Sequence, residues 1–171
     1  LFYEERYAEA RDAYARLMAA SPETMTYALS YSVCLTNLWD YDEALKVLYR
    51  LDYENPDNVG ISRVMARALV GAGKYEQARR VYEKLGSRGV MDSNDQMNNG
   101  YCEWFAGNHR AAAESFAAYL KARYPNESNC GMRKKAKEDI VETELKFILE
   151  HGVTQVELEM MLDVVCAEMM K

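Results

Sequence analysis

Residues that commonly carry chemistry are scarce in this sequence. The two histidines, His109 and His151, stand far apart. Nothing resembles a catalytic triad, a phosphate-binding loop or a paired-histidine metal site. The four cysteines show no CxxC spacing and no evident bridge partner, which favours a reducing, cytoplasmic environment without identifying the compartment. We therefore predict no catalytic residue, no metal site and no cofactor.

Long apolar runs are absent and proline is rare. No apolar run approaches the length of about 18 residues that a membrane-spanning helix needs, so no membrane span is predicted. A net charge of −6 disfavours nucleic acid as a partner. The hydrophobic content of 49% is too high for a disordered chain. Only three prolines occur, and the interval between two of them, Pro22 and Pro56, recurs elsewhere in the sequence.

That interval, a period of about 34 residues, runs through much of the chain and is typical of helical repeats. The aromatic, small and bulky positions of the segment 73–85 recur with it. One column holds Ala10, Ala44, Ala78 and Ala112; the residues four positions later are Tyr14, Leu48, Tyr82 and Phe116. Within one copy these positions fall on a single helical face. A small residue there lets a neighbouring helix approach closely, and stacked copies bury the face together.

This pattern resembles the tetratricopeptide repeat family. The part of the family pattern that belongs to the second helix of each repeat is matched four times over residues 1–125. In the first helix, where the family usually has glycine, this chain has Ser32 and Ala66, and only Gly100 matches the pattern. The resemblance implies an all-α, right-handed superhelix of helical hairpins with about three and a half repeats. We expect residues 1–125 to form this array and 126–171 to form a C-terminal capping helix pair.

The ends of the array are less regular than its middle. Leu1 aligns with Leu35 and Leu69, so we expect the chain to open in the last turn of a helix whose beginning is missing. Beyond Pro125 we predict a long helix over 132–150 and a last helix to Met170 that opens with a Thr154–Glu157 capping box.

The first helix of the fourth repeat leaves two interpretations open. A capping box of Ser93 and Gln96 is predicted to start it. Its expected packing stripe is polar, whereas the neighbouring stripe holds Tyr101, Trp104 and Phe105. Either this helix is rotated and these aromatics are core residues, or they line the inner groove of the array.

In the arrays that this chain resembles, the first helices line a groove that holds a peptide. The candidate partner-binding residues on these helices are Arg63, Arg67, Asn94, Asn98, Tyr101 and Trp104. Arg63 and Arg67, one turn apart and flanked by glycines, suit an acidic or C-terminal carboxylate group. A solvated helix face, or pairing with a neighbouring glutamate, is the alternative for the two arginines.

Three functions remain open. The first is a scaffold without catalysis of its own that binds a protein or peptide partner in the groove. The second is an accessory or sensor domain of a larger enzyme or regulator, and the third is a unit that self-associates through the apolar stretch 160–165. The partner and the oligomeric state are not determined by the sequence.

Overall fold

The structure, a computed structural model, describes residues 2–171, so the expectation for Leu1 lies outside the described residues. The described residues form helices and contain no strand. Ten are α-helices and one, named π1 here, is a π-helix. In chain order they are α1 (Phe2–Ala20), α2 (Met25–Asn37), α3 (Tyr41–Glu54), α4 (Val59–Gly71), α5 (Tyr75–Ser87), α6 (Ser93–Phe105), α7 (His109–Arg123), α8 (Asn129–Ala136), π1 (Lys137–Glu142), α9 (Leu145–Glu150) and α10 (Gln155–Met169).

The chain divides into two compact units. The first unit extends to Val81 and the second runs over Tyr82–Lys171, so the division falls within α5. In the first unit α2 packs against α1, α3 and α4, and in the second α7 packs against α6, α8 and α10. The expected array boundary at residues 125 and 126 lies inside the second unit.

The same backbone hydrogen bond recurs at the ends of α2, α4 and α6, each of which is the first helix of a hairpin. The amide of Asp40 donates to the Leu35 carbonyl at 2.9 Å, that of Lys74 to Leu69 at 2.9 Å, and that of Asn108 to Glu103 at 2.8 Å. The residue before each donor has positive φ, namely Trp39 (63°), Gly73 (78°) and Gly107 (88°). Such a left-handed residue closes a helix and reverses the chain. The predicted repeat of helical hairpins is therefore confirmed.

From α3 onward the alanine and bulky columns are buried in the core, whereas Ala10 and Tyr14 of α1 are half-buried. Ala44, Ala78 and Ala112 are completely buried, as are Leu48 and Phe116. The ring of Tyr41 lies against Gly71, where an added Cβ atom would overlap it. Small residues therefore permit the close helix contacts that the sequence pattern predicted.

The predicted start of α6 was wrong by one residue. Asp92, not Ser93, is the N-cap: its side chain accepts from the Asp95 amide at 2.8 Å, and the Asp95 carboxylate accepts from the Asp92 amide at 3.0 Å. Aspartate serves in both positions of the box, because its oxygens reach the backbone as those of serine and glutamine do. Ser93 instead begins the helix itself.

The predicted long helix over 132–150 is not continuous. It is divided into α8, π1 and α9, and within π1 the Thr143 amide donates to the Glu138 carbonyl, five residues earlier, at 3.2 Å. The Thr143 hydroxyl donates to the same carbonyl at 2.8 Å. Gly152, with φ of 83°, ends this region, and the predicted Thr154–Glu157 capping box opens α10.

Candidate functional site

Arg63 and Arg67 lie one turn apart on α4, and both side chains are half-buried. α4 packs against α2, and Leu29 of α2 lies 3.7 Å from the position of a Cβ atom added to Gly60. Both arginines take part in interactions with other groups of the protein. We name this surface of the first unit the α2–α4 face, defined by Thr26, Leu29, Val33, Gly60, Arg63 and Arg67.

The residues of the α2–α4 face are exposed or half-buried. Thr26 is exposed, while Leu29 and Val33 are half-buried. Other residues of α2 face the core. Ser32 is fully buried, and its hydroxyl donates to the Ala28 carbonyl at 2.8 Å. The face therefore combines two cations with modest apolar surface.

Asn94 and Asn98 belong to the second unit. Both lie in the first half of α6, where Asn94 is exposed and Asn98 is half-buried. The amide group of each side chain can donate to and accept from a peptide backbone. Their participation in one binding site with Arg63 and Arg67 stays a prediction.

Tyr101 and Trp104 are core residues, so the groove-contact interpretation of these two side chains is wrong. Their side chains are 0% and 3% exposed. The Tyr101 hydroxyl donates to the Ile140 carbonyl of π1 at 2.5 Å. The Tyr101 ring packs edge-on against Phe147 of α9, with centroids 5.8 Å apart. Segments that follow the predicted array thus cover this part of α6.

α6 did not need to rotate to bury its aromatics. Gly100 still faces α7, where an added Cβ atom would lie 2.5 Å from Phe116 Cε1. Asn99 beside it donates to the Ser115 hydroxyl at 3.1 Å. The polar stripe of α6 therefore faces α7. In the aromatic stripe, Tyr101 and Trp104 also pack edge-on against Phe116 of α7, and the C-terminal segments cover Tyr101 and Phe105.

An aromatic cluster surrounds Tyr101. The Phe105 ring stacks on His151 with centroids 4.5 Å apart and an angle of 6° between the planes. The His151 Nδ1 atom lies 2.8 Å from the Phe147 carbonyl oxygen. With its ring and Nδ1 engaged in packing and backbone contacts, His151 orders the end of α9.

Two tyrosine hydroxyls converge on one carboxylate in the second unit. Tyr119 and Tyr124 donate to Asp139 Oδ2 at 3.1 Å and 2.7 Å. Burial, together with the adjacent Asp139 charge, raises the pKa of Tyr119 to about 12. The hydrogen bond to Asp139, followed by burial, raises the pKa of Tyr124. Both phenols therefore stay protonated at neutral pH and fasten π1 to α7 and its C-cap.

Three basic residues of α8 make ion pairs within the second unit. Arg133 binds Asp163 of α10 at 2.6 Å and Glu159 at 3.4 Å. Lys134 and Lys135 lie 3.8 Å and 4.0 Å from the Glu138 carboxylate. The Arg133 ion pairs hold α8 against α10.

The cysteines are all free thiols in different surroundings. Cys34 and Cys102 are buried, Cys166 is half-buried and Cys130 is exposed. Over residues 2–171 the structure brings together no group of three or more His, Cys, Asp or Glu side chains that could hold a metal. Within the same residues no helix has the length and apolar content that crossing a bilayer requires.

A small cavity between α8 and α10 was missed by sequence reasoning. It measures about 30 Å³ and is lined by Asn129, Met132, Cys166, Met169 and Met170. The only signal in the sequence is the spacing of Cys166, Met169 and Met170, which places three sulfur side chains on one helical turn.

A structural relative supports the fold. The solved structure described as "MamA MSR-1 C2" superposes on the chain with a TM-score of 0.59 and is 21% identical in sequence. The match covers 91% of this chain and 88% of that one. At this identity the likeness concerns the fold. No curated protein matches the chain significantly.

Two family models, both described as "Tetratricopeptide repeat", match the sequence directly. One covers residues 1–59 and the other residues 39–94, so together they span more than half of the chain. The hairpins that close at a regular interval, at Asp40, Lys74 and Asn108, are what such repeats require. The chain belongs to the tetratricopeptide repeat family.

Proposed function

We propose that this chain is a protein-interaction scaffold that holds an acidic segment of a protein partner on the α2–α4 face, without catalysis of its own. The observation that supports it is the pair Arg63 and Arg67, side by side on the first helix of a repeat, next to the half-buried Leu29 and Val33. Stacked helical repeats expose extended surfaces, and such surfaces bind partners.

The chemistry of the face indicates an anionic ligand. Arginine side chains offer planar, permanently charged donors that bind carboxylates in pairs of hydrogen bonds. Gly60 leaves room beside Leu29, where the nearest side-chain atoms are 3.3 Å and 3.7 Å from an added Cβ. Because both arginines already interact with other groups, an acidic ligand joins or displaces those interactions.

The test compares two charge reversals of equal size. In Arg63→Glu/Arg67→Glu the proposed anchor is reversed, whereas in Arg50→Glu/Arg80→Glu two exposed arginines on the second helices α3 and α5 are reversed. The probes are fluorescent acidic peptides with a free C-terminus, and the same peptides amidated. Anisotropy titrations at low and high salt measure the affinity.

We expect salt-sensitive binding by the wild type and a loss of at least about tenfold in Arg63→Glu/Arg67→Glu only, since a hydrogen bond to a charged group contributes ~1.5–3 kcal/mol. A weaker affinity for the amidated peptides would identify the C-terminal carboxylate as the anchored group. Equal losses in both double variants would reject a specific role of the α2–α4 face. The absence of binding to every acidic peptide would reject the anionic ligand.

A second candidate function, self-association, is favoured by one observation on α10. Val156, Met160 and Val164 follow one another at four-residue intervals, and they are 69%, 57% and 38% exposed. Such a stripe is typical of surfaces that pack against another protein. Sedimentation equilibrium at high concentration tests it, with Met160→Glu as the variant that should dissociate any oligomer. A wild-type monomer at all concentrations would exclude it.

A further inference from the structure

Four of the residues that line the cavity between α8 and α10 carry sulfur. Cys166 and Met169 lie on the last turn of α10, Met170 is the C-cap that follows it, and Met132 of α8 lines the same cavity. Residues three and four positions apart are neighbours on a helix surface, so these three side chains share one side of the helix end. Asn129 is the one remaining residue of the lining.

The cavity is the right size for a single small ion. Its volume is about 30 Å³, and about 10–15 Å³ already accommodates one water molecule. Met132 is 6% exposed, which shields the inner side, whereas Met170 is 70% exposed and leaves a path to solvent. An ion can therefore enter at the Met170 side and lose its water shell inside.

The chemistry of the lining selects the ion. Thiolate and thioether sulfurs are soft ligands that prefer Cu(I), whereas Mg²⁺, Ca²⁺ and Mn²⁺ prefer oxygen ligands. Cys166 is the one thiol of the lining, and it is free. The thiolate, rather than the thiol, is the form of cysteine that binds metals.

We propose that this cavity, which we name the sulfur pocket, is a Cu(I)-binding site in which Cys166 is the thiolate ligand and Met132, Met169 and Met170 supply thioether ligands. Binding forms a Cu–S bond at Cys166 and releases its thiol proton to solvent. The copper stays in the Cu(I) state, so no electron is exchanged. The site is independent of the α2–α4 face and of the partner proposed for it.

The first experiment is an anaerobic titration of the full chain with Cu(I), in competition with a chromophoric Cu(I) chelator. Ag(I) is titrated in parallel as a soft monovalent ion that resists oxidation, and Zn²⁺ is titrated as a borderline divalent ion. We expect one Cu(I) and one Ag(I) per chain, with much weaker Zn²⁺ binding. X-ray absorption of the copper complex should show sulfur neighbours including Cys166.

Variants identify the ligands. Cys166→Ser and Met169→Leu/Met170→Leu should each lower Cu(I) affinity by ~100-fold, since loss of a group that only orients a ligand already costs ~10–100-fold. Met160→Leu is the matched control, because this methionine lies on the exposed side of α10. Circular dichroism verifies that every variant is folded.

Three results would overturn the proposal. One is a wild-type chain that loses all Cu(I) to the chelator. Another is an affinity that is the same in Cys166→Ser and wild type. The third is a loss in Cys130→Ser as large as that in Cys166→Ser, which would show that the exposed thiol of Cys130 is a ligand and that the assigned ligand set is incorrect.

Discussion

The ring of Phe116 lies directly over Gly100, so that a Cβ atom added to this glycine would be 2.5 Å from Phe116 Cε1. Phe116 is completely buried and cannot swing into solvent. We expect Gly100→Ala to lower the free energy of unfolding by about 1–3 kcal/mol, as overpacking of a close-packed core does. Denaturant unfolding followed by circular dichroism measures the change.

Two further variants separate this clash from a general effect of alanine. In Gly60→Ala the nearest atoms lie at 3.3 Å and 3.7 Å, and alanine favours the helix, so we expect little loss or a small gain in stability. In Gly100→Ala/Phe116→Leu the smaller side chain makes room. The double variant should therefore be more stable than the sum of the single changes predicts. Strict additivity would argue against the contact.

The hydroxyl of Tyr101 connects α6 to π1. We expect Tyr101→Phe to lower the free energy of unfolding by about 1–2 kcal/mol, because it removes the 2.5 Å hydrogen bond to the Ile140 carbonyl from a buried site. Tyr53→Phe is the control, since Tyr53 is 87% exposed. The affinity for acidic peptides should be unchanged in Tyr101→Phe. A loss of binding without a loss of stability would show that Tyr101 contributes to peptide binding.

The stability of the second unit should depend on alkaline pH through Tyr119. Burial, followed by the nearby Asp139 charge, raises the pKa of Tyr119 from 10.0 to about 12. Its neutral form is therefore favoured in the folded state. This contribution is fully present below pH 10 and is lost between pH 10 and about pH 12, as the unfolded phenol ionises first.

Urea unfolding of wild type and Tyr119→Phe over pH 8–11.5 tests this dependence. We expect Tyr119→Phe to be less stable at pH 8, because it lacks the 3.1 Å hydrogen bond to Asp139. Above pH 10 its stability should fall less steeply than that of wild type. Tyr53→Phe again serves as the control, and parallel curves for wild type and Tyr119→Phe would contradict the proposed burial effect.

The docking of α10 depends on its buried side. Leu158 is 2% exposed, and we expect Leu158→Ala to cost about 2–5 kcal/mol because it leaves a cavity between α10 and its neighbours. Val156→Ala on the same helix should change the stability by less than about 0.5 kcal/mol, since Val156 is 69% exposed. Thermal unfolding of the two variants compares them, and similar midpoints would show that α10 contributes little to the second unit.

The repeated hairpins could be predicted because their cause is local. The alanine column, the bulky column and the residues that end each first helix recur at one spacing, and the hydrogen bonds Asp40 to Leu35 and Lys74 to Leu69 recur with it. Helix ends were less predictable, because aspartate and serine are nearly equivalent N-caps. That equivalence explains why the box was placed at Ser93 rather than at Asp92.

The candidate site was harder to predict because exposure depends on distant segments. Tyr101 and Trp104 have the spacing of a groove stripe. Only the packed structure shows that they are covered, Tyr101 by π1, α9 and α7, and Trp104 by Phe116 of α7. Arg63 and Arg67 lie on a half-exposed surface, and their role in binding stays a prediction. The sulfur pocket draws on two helices, so the spacing of Cys166, Met169 and Met170 could indicate only one side of its lining.

Because of the π-helix Lys137–Glu142, the packing of α9 depends on the number of residues that precede it. A π-turn accommodates one residue more than an α-turn, so the side chains after it are rotated by about 100° relative to an uninterrupted α-helix. Together with the turn at Thr143 and Glu144, that rotation contributes to which side of α9 meets Tyr101: Phe147 is buried, whereas Leu145 and Leu149 are 38% and 48% exposed. Removing one residue from this segment would preserve its chemistry yet present the wrong face of α9 to the core.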